Sequence, residues 1–271
     1  MKKLLAVALA VATMMGLAAC GGNKTETENT GNYSNLGVAL ELTSEEYGIG
    51  FRKGSDLANE VNALIDELTE DGTLAALAEK YELTLADAKD AEEVEVTVND
   101  LEYIKANGKL VIGITDYAPM NYLDDNKEWT GFDTEFAQAV CAKLGVTAEF
   151  VEIDWDNKFV ALESKAIDCI WNGMTISEEV LKNTSCSKAY VKNAQVVVMA
   201  KDKIAEYPDA ASMAELTFAV EAGSAGATAA ADNNFANVVE ATAQTDALLE
   251  VTSGSCDACI IDITMANAML K

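Results

Sequence analysis

The sequence contains no histidine among its 271 residues and a single arginine, Arg52. The absence of histidine removes the commonest general base and the commonest metal ligand. No nucleophile–base pair replaces it, so we expect a protein that is not an enzyme and needs neither a cofactor nor a metal. Basic residues are also scarce, and the formal net charge is −26. A chain this acidic is repelled by nucleic acid, which excludes a nucleic-acid partner.

Beyond Cys20, the cysteines do not form the set expected of a disulfide-linked protein. Five remain, an odd number for a disulfide framework: Cys141, Cys169, Cys186, Cys256 and Cys259. Cys256-x-x-Cys259 has the spacing of half a metal or redox site, but the second half is missing. We therefore expect buried, small apolar side chains at these positions and keep a functional Cys-x-x-Cys pair as the weaker alternative.

A long apolar run occurs only at the start of the chain. Lys2 and Lys3 precede the apolar stretch 4–15, which Leu17-Ala18-Ala19-Cys20 closes. This pattern predicts a signal peptide over residues 1–19, because the run is too short to span a membrane. The closing residues resemble the bacterial lipobox, which implies cleavage before Cys20 and attachment of lipid to its sulfur. The polar residues 20–32 are predicted to tether the lipid to a folded domain.

The rest of the chain alternates apolar strands with helices of regular apolar spacing. Strands are predicted at 109–114, 147–153 and 258–262, and a helix at 133–144 with Phe136, Val140 and Leu144 on one face. Strands that alternate with helices predict an α/β fold with largely parallel sheets.

Several short motifs follow one another from Leu101 onward. They are Asp116-Tyr117-Ala118-Pro119-Met120, Gly131-Phe132-Asp133, Asp154-Trp155-Asp156, Asn172-Gly173-Met174-Thr175-Ile176-Ser177, Ala222-Gly223-Ser224 and Cys256-Asp257-Ala258-Cys259-Ile260-Ile261-Asp262. In this order they resemble the family 3 extracellular solute-binding proteins, the receptors of ABC importers for polar amino acids. The resemblance implies a periplasmic-binding-protein-like fold with two α/β lobes and a two-strand hinge. It also implies an ABC permease as partner and a lipid-anchored location on the extracytoplasmic face of the cell membrane.

The family-like segments occur in an unusual order. The family continues after the Asp262 helix with a strand, a crossing to the first lobe and two closing helices. In this chain, residues 42–55 resemble that crossing, and residues 71–74 and 80–81 resemble the closing helices. The resemblance therefore implies a circular permutation, a rearrangement that compact domains with neighbouring termini tolerate.

The permutation sets the expected domain boundaries. Lobe 2 takes residues 33–42 and 199–271, and the hinge with lobe 1 takes 43–83 and 101–198. Residues 84–100 form the linker that joins the usual termini. The alternative is a remnant of a tandem pair whose halves complete one another between molecules. We expect a monomer.

The resemblance also implies a ligand site in the cleft between the lobes, at the carboxyl ends of the strands. Asp262 would pair with the ligand ammonium, unless it only caps the next helix. Thr175 would offer its hydroxyl and backbone N–H to the ligand carboxylate, and the Asn172-Gly173 backbone would contribute a carbonyl group. Tyr117 and Trp155 would stack on the ligand, and Ser224 would bind an anion at a helix start.

The sequence departs from the family at one important position. The arginine that grips the ligand carboxylate in the family is replaced by Val180, and Arg52 belongs to the return strand. Three alternatives remain open: Lys182 or Lys188 reaches the site, the ligand is an amine that suits Asp262 and Glu221, or tight binding is lost.

The function predicted is capture of a polar amino acid or related amine for import. The alternative is a ligand-sensing or adhesive lipoprotein with the same fold.

Overall fold

The computed structural model describes residues 32–87, 89 and 93–271. The predicted signal peptide, Cys20 and the tether up to residue 31 lie outside these residues, so the structure says nothing of them. Within the described part, strands and helices are numbered along the chain.

The second lobe is built on a five-stranded sheet. In spatial order its strands are β1 (Leu36–Glu41), β10 (Gln195–Ala200), β13 (Ala258–Asp262), β11 (Thr217–Glu221) and β12 (Asn237–Ala241). The pairs β13–β11 and β11–β12 are parallel, whereas β1–β10 and β10–β13 are antiparallel. All five residues of β13 are buried, which explains its unbroken apolar run.

The first lobe is built on a six-stranded sheet. Its strands are β6 (Thr147–Glu152), β3 (Lys109–Ile114), β7 (Cys169–Thr175), β2 (Glu45–Arg52) and β8 (Thr184–Cys186), with β9 (Val191–Asn193) also paired to β2. A separate hairpin pairs β4 (Tyr122–Leu123) with β5 (Trp129–Thr130). Both main sheets are mixed, and each contains one antiparallel strand from residues 36–52.

Helices accompany both sheets. The first lobe has α1 (Leu57–Glu70), α2 (Thr73–Lys80), α3 (Asp100–Asn107), α4 (Phe132–Leu144), α5 (Lys158–Glu163) and α6 (Glu178–Asn183). The second has α7 (Ala225–Asp232), α8 (Gln244–Ser253) and α9 (Ile263–Met269). The first lobe's core includes an aromatic group in which Phe136 packs edge-on against Trp171, with ring centroids 5.0 Å apart. The predicted α/β architecture of two lobes is confirmed.

Two crossings connect the lobes. The first runs through residues 42–44, between β1 and β2, close to the position expected from the sequence. The second falls at Ala194, between β9 and β10, because Gln195 already pairs with Asp262 in the second sheet. The boundary expected from the sequence, between residues 198 and 199, differs from this position. The apolar run of β10 lies wholly in the second sheet, so the change of sheet falls before that run and not within it.

The described part of the linker 84–100 runs along the first lobe. Leu85 forms a bridge with Val191, and Val98 forms one with Ser55. Residue 100 begins α3, which the sequence analysis did not predict. The linker is therefore fixed to the lobe at both ends.

Arg52, the last residue of β2, ties the early part of the chain to the later part. Its Nε donates to Asp100 Oδ2 at 2.9 Å, and its Nη2 donates to Asp168 Oδ1 at 3.0 Å. Its Nη1 also donates to the carbonyl oxygen of Ile167 at 2.7 Å. All three charged side chains are buried. Arg52 therefore has a structural role in the first lobe and lies outside the cleft.

We expect Arg52→Ala to lower the free energy of unfolding by about 3–5 kcal/mol, because it leaves two buried carboxylates without their cation. Urea denaturation followed by circular dichroism would measure the change. Lys109→Ala removes an exposed ion pair with Glu149 and should leave the free energy of unfolding nearly unchanged. Equal losses for the two variants would contradict this role for Arg52.

Candidate functional site

A cavity of about 140 Å³ lies between the two sheets, where several strands end. β13 ends at Asp262, β11 at Glu221 and β7 at Thr175, and all three residues line the cavity. Carboxyl ends of strands are the usual ligand-binding edge of α/β sheets. The seven residues singled out from the sequence all line this one cavity: Tyr117, Trp155, Asn172, Gly173, Thr175, Ser224 and Asp262.

Asp262 is buried, and three side-chain amides surround its carboxylate. Gln195 Nε2 donates to Oδ1 at 2.7 Å, Asn193 Nδ2 donates to the same oxygen, and Gln244 Nε2 donates to Oδ2. Burial raises the pKa of Asp262, and these hydrogen bonds oppose that rise by stabilising the charged form. The three amides therefore hold the Asp262 carboxyl group in a fixed position, from which it can receive a cation.

Two further carboxyl groups of the cavity lie near Asp262. Glu45 Oε1 accepts from Gln195 Nε2 at 2.7 Å, and burial followed by the charge of Asp262 raises the pKa of Glu45. Burial, reinforced by Asp262, raises the pKa of Glu221 to about 8. A cation among these three acidic groups would stabilise their charged forms, which burial disfavours. The cavity is therefore suited to a positively charged ligand group.

Lys158 supplies the basic side chain among the described residues that line the cavity. It is buried, and its Nζ donates to the carbonyl oxygens of Gly223 at 2.8 Å and Trp155 at 3.2 Å. The ammonium also lies 5.1 Å from the centre of a Trp155 ring. Burial lowers the pKa of Lys158, which the nearby carboxylates partly oppose. Lys158 belongs to the first lobe and Gly223 to the second, so this bond joins the two sides of the cleft.

Neither of the two lysines proposed from the sequence lies at the cavity in this structure. Neither Lys182 nor Lys188 lines the cavity. Lys182 is exposed at the end of α6, and Lys188 donates to Asp66 Oδ1 at 2.5 Å on the far side of the lobe. Val180, at the family's arginine position, is buried and lines the cleft. The expectation that Lys182 or Lys188 reaches the site is therefore wrong for this conformation, and Lys158 is the cation present.

The backbone at Gly173 has a conformation that only glycine adopts comfortably. Its φ angle is +55°, and an added Cβ would lie 2.6 Å from Cε1 of Tyr117. Its N–H donates to Asp133 Oδ2 at 2.6 Å, and the Tyr190 hydroxyl donates to the same oxygen at 3.0 Å. Asp133 is fully buried, which raises its pKa to about 7. These contacts fix the cavity wall from behind.

Three hydroxyl groups meet where the lobes adjoin the cavity. Tyr117 and Tyr47 have hydroxyl oxygens 2.5 Å apart, and both contact Thr264 Oγ1, at 2.6 and 3.0 Å. Thr264 lies in α9 of the second lobe, whereas the tyrosines belong to the first. This contact orients the Tyr117 ring at the cavity wall.

Asn172 and Ser224 use their side chains locally. The Asn172 amide donates to the Thr115 carbonyl at 3.0 Å, and its Oδ1 accepts from Thr115 Oγ1 at 2.7 Å. Ser224 Oγ accepts from the N–H of Ala227 at 3.2 Å and caps α7. Ligand contacts from these two residues would therefore come mainly from their backbone.

A second, larger cavity of about 480 Å³ lies elsewhere on the molecule. Its wall includes Lys80, Tyr81, Pro119, Lys192 and Ile263. None of the seven residues predicted from the sequence lines it. The smaller cavity therefore remains the candidate ligand site.

Sequence reasoning did not find Lys158 or the amide groups around Asp262. Lys158 follows Trp155 by three residues at the start of a short helix, a spacing that places both side chains on one face. That signal was available. Gln195 and Gln244 carry no comparable signal, because an amide that supports a buried carboxylate looks like any other glutamine in the sequence.

The five cysteines are free thiols, and Cys186 is partly buried whereas the other four are buried. Burial raises the pKa of Cys141 to about 12 and that of Cys186 to about 12. Such thiols are poor nucleophiles and poor metal ligands. This agrees with the expectation of buried apolar side chains.

Two mixed α/β lobes, two crossings and a ligand-sized cavity between them define a solute-binding protein. Residues 110–250, just over half of the chain, match the family "Bacterial extracellular solute-binding proteins, family 3". The protein belongs to this family. No helix in the described part of the chain is long and apolar enough to cross a membrane.

Two curated relatives share shorter segments with the chain. The L-cystine-binding protein TcyJ of Escherichia coli K12 is 37% identical over 91 residues, which are 33% of this chain and 34% of TcyJ. The arginine-binding extracellular protein ArtP of Bacillus subtilis is 34% identical over 95 residues, 35% of this chain and 37% of ArtP. The matches thus span about a third of the length of these relatives.

A solved structure is similar to a larger part of this chain than the two curated relatives are. The arginine-bound, truncated ArgBP of T. maritima superposes with a TM-score of 0.60 and 32% identity, covering 62% of this chain and 80% of that chain. This similarity agrees with the two-lobed architecture.

We expect the stability of the ligand-free protein to depend on the charge of Glu221. Because its pKa is raised from 4.5 to about 8, folded protein binds this proton more tightly than unfolded protein does. Its contribution is therefore complete below about pH 4.5 and is lost as the pH rises toward 8. Glu221→Gln should become more stable than the wild type over this range, by about 3–5 kcal/mol at pH 8.

Urea denaturation at pH 5, 6, 7 and 8 would measure the difference. Asp262, Lys158 and Asp246 also act on Glu221 but are unchanged in the variant. Glu240→Gln, an exposed carboxyl on β12, is the matched control and should follow the wild type. A constant difference between Glu221→Gln and the wild type across this pH range would contradict the expectation.

Proposed function

We propose that the protein is the extracytoplasmic substrate-binding lipoprotein of an amino-acid ABC importer. In this function it captures a polar amino acid or a related amine between its lobes, delivers it to a membrane permease and carries out no reaction. The observation that carries the proposal is the cavity between the lobes, which Asp262 and all six other predicted residues line. Family membership and the relatives named for cystine and arginine binding support an amino-acid ligand.

The ligand's ammonium group would bind at Asp262. Its carboxylate, where the ligand has one, would face the backbone near Thr175, the start of α7 at Ser224 and the ammonium of Lys158. The start of α7 lines the cavity, and a helix start favours anions because its partial positive charge attracts them. Tyr117 and Trp155 would pack against the apolar part of the ligand. Lys158 would then take over part of the charge lost with the arginine that Val180 replaces.

The lipid anchor belongs to the same proposal. The Leu17-Ala18-Ala19-Cys20 sequence supports lipidation at Cys20, and the family is extracellular. A lipid at this position would hold the receptor at the outer face of the membrane, close to its permease. The long apolar stretch before it would be removed as the signal peptide.

Titration calorimetry with a panel of polar amino acids and their decarboxylated amines would test the proposed function. We expect at least one of them to bind, and Asp262→Asn to weaken that binding by about 30-fold or more, because a buried cation would lose its charged partner. Asp257→Asn, at the exposed opposite end of β13, is the matched control and should bind normally. Circular dichroism would verify that both variants fold. Absence of binding to the whole panel would contradict the function.

We propose further that the chain order is a circular permutation within one molecule. β1 pairs with β10, and β2 lies between β7 and β8, so residues 36–52 contribute a strand to each sheet of the same chain. Size-exclusion chromatography with light scattering should then give the monomer mass at all concentrations tested. A stable dimer would favour exchange of these strands between two copies instead.

A further inference from the structure

Glu221 is a buried carboxyl group at the cavity with an unsatisfied oxygen. It is the last residue of β11, is 3% exposed and lines the cavity. Its Oε1 has no hydrogen-bond partner among the described residues. Buried polar atoms without a partner are rare, because each costs a substantial desolvation energy. A bound ligand group is therefore the natural partner for this oxygen.

Glu221 belongs to a row in which carboxyl and amide side chains alternate. Gln195 donates to both Glu45 and Asp262, at 2.7 Å in each case. Gln244 donates to Asp262 and also lowers the pKa of Glu221, so it lies between these two carboxyl groups. The row thus presents three acidic groups to one cavity. Neutral amides separate them but cannot cancel their charge.

The protein itself provides little positive charge to this row. Lys158 is the basic residue among the described residues that line the cavity, and it donates to two carbonyl oxygens. One ligand ammonium at Asp262 would still leave Glu221 without a direct cation. The raised pKa of Glu221 agrees with this shortage of positive charge. In the empty site, a proton on Glu221 removes one of the negative charges. A second ligand cation would displace that proton and satisfy the unpartnered oxygen.

We infer that Glu221 forms a second cation subsite beside Asp262, and that the ligand carries two positively charged groups. This inference rests on the proposed function and specifies its ligand class. Basic amino acids and diamines share the required chemistry. A basic amino acid has a carboxylate for Lys158 in addition, whereas a diamine lacks one.

Calorimetric titration with two matched pairs of ligands tests the subsite. L-lysine and L-norleucine differ in the second ammonium, as do cadaverine and n-pentylamine. We expect the doubly charged member of at least one pair to bind about 30-fold or more tightly than its partner. In Glu221→Gln that ratio should fall to near one, whereas in Glu240→Gln it should stay at the wild-type value. Comparison of L-lysine with cadaverine shows whether the preferred ligand is a basic amino acid or a diamine.

The outcomes separate the inference from the function on which it rests. Equal binding within both pairs, or a ratio that Glu221→Gln leaves unchanged, would overturn the subsite while the binding function stands. Binding only of amino acids with one positive charge would do the same. Absence of binding to any ligand would overturn both. Circular dichroism of the Gln variants would show that the folded state is retained.

Discussion

The interaction on which the cleft depends is the burial of the Asp262 carboxylate among three amide side chains. A buried carboxylate is tolerated only when hydrogen bonds replace its lost water. Asn193 and Gln195 provide them from the strands on either side of the second crossing, and Gln244 provides another from α8. The same hydrogen bonds thus hold the charge, the hinge and one wall of the cavity in a fixed relation.

The acidic character of the cleft also affects the pKa values of the carboxyl groups near Asp262. Burial, and after it the charge of Asp262, raises the pKa of Glu45 and of Glu221. The bond from Lys158 to Gly223 connects the lobes beside them. An arginine at the position of Val180 would have offset more of this charge. With valine at this position the cavity contains less positive charge, which supports the cationic ligand proposed above.

Much of the fold could be predicted because local patterns and tertiary packing agree. β3 and β13 fall on the residues expected from their apolar runs, and α4 begins one residue earlier than predicted. β12 was missed because four of its five residues are exposed and carry no apolar alternation. α3 was missed because Ile104 is its only buried apolar residue, so the segment after the linker shows no regular apolar spacing.

The sequence by itself determined the family, the α/β class of the fold and seven of the residues that line the cavity. These follow from short motifs, whose side chains lie near strand ends in any α/β fold. Only the tertiary structure decided which cation enters the cleft, which amides surround Asp262 and that Glu221 has an unpartnered oxygen. Such facts depend on contacts between residues far apart in the chain. The pairing of Asp262 with Gln195, 67 positions away, has no local signature.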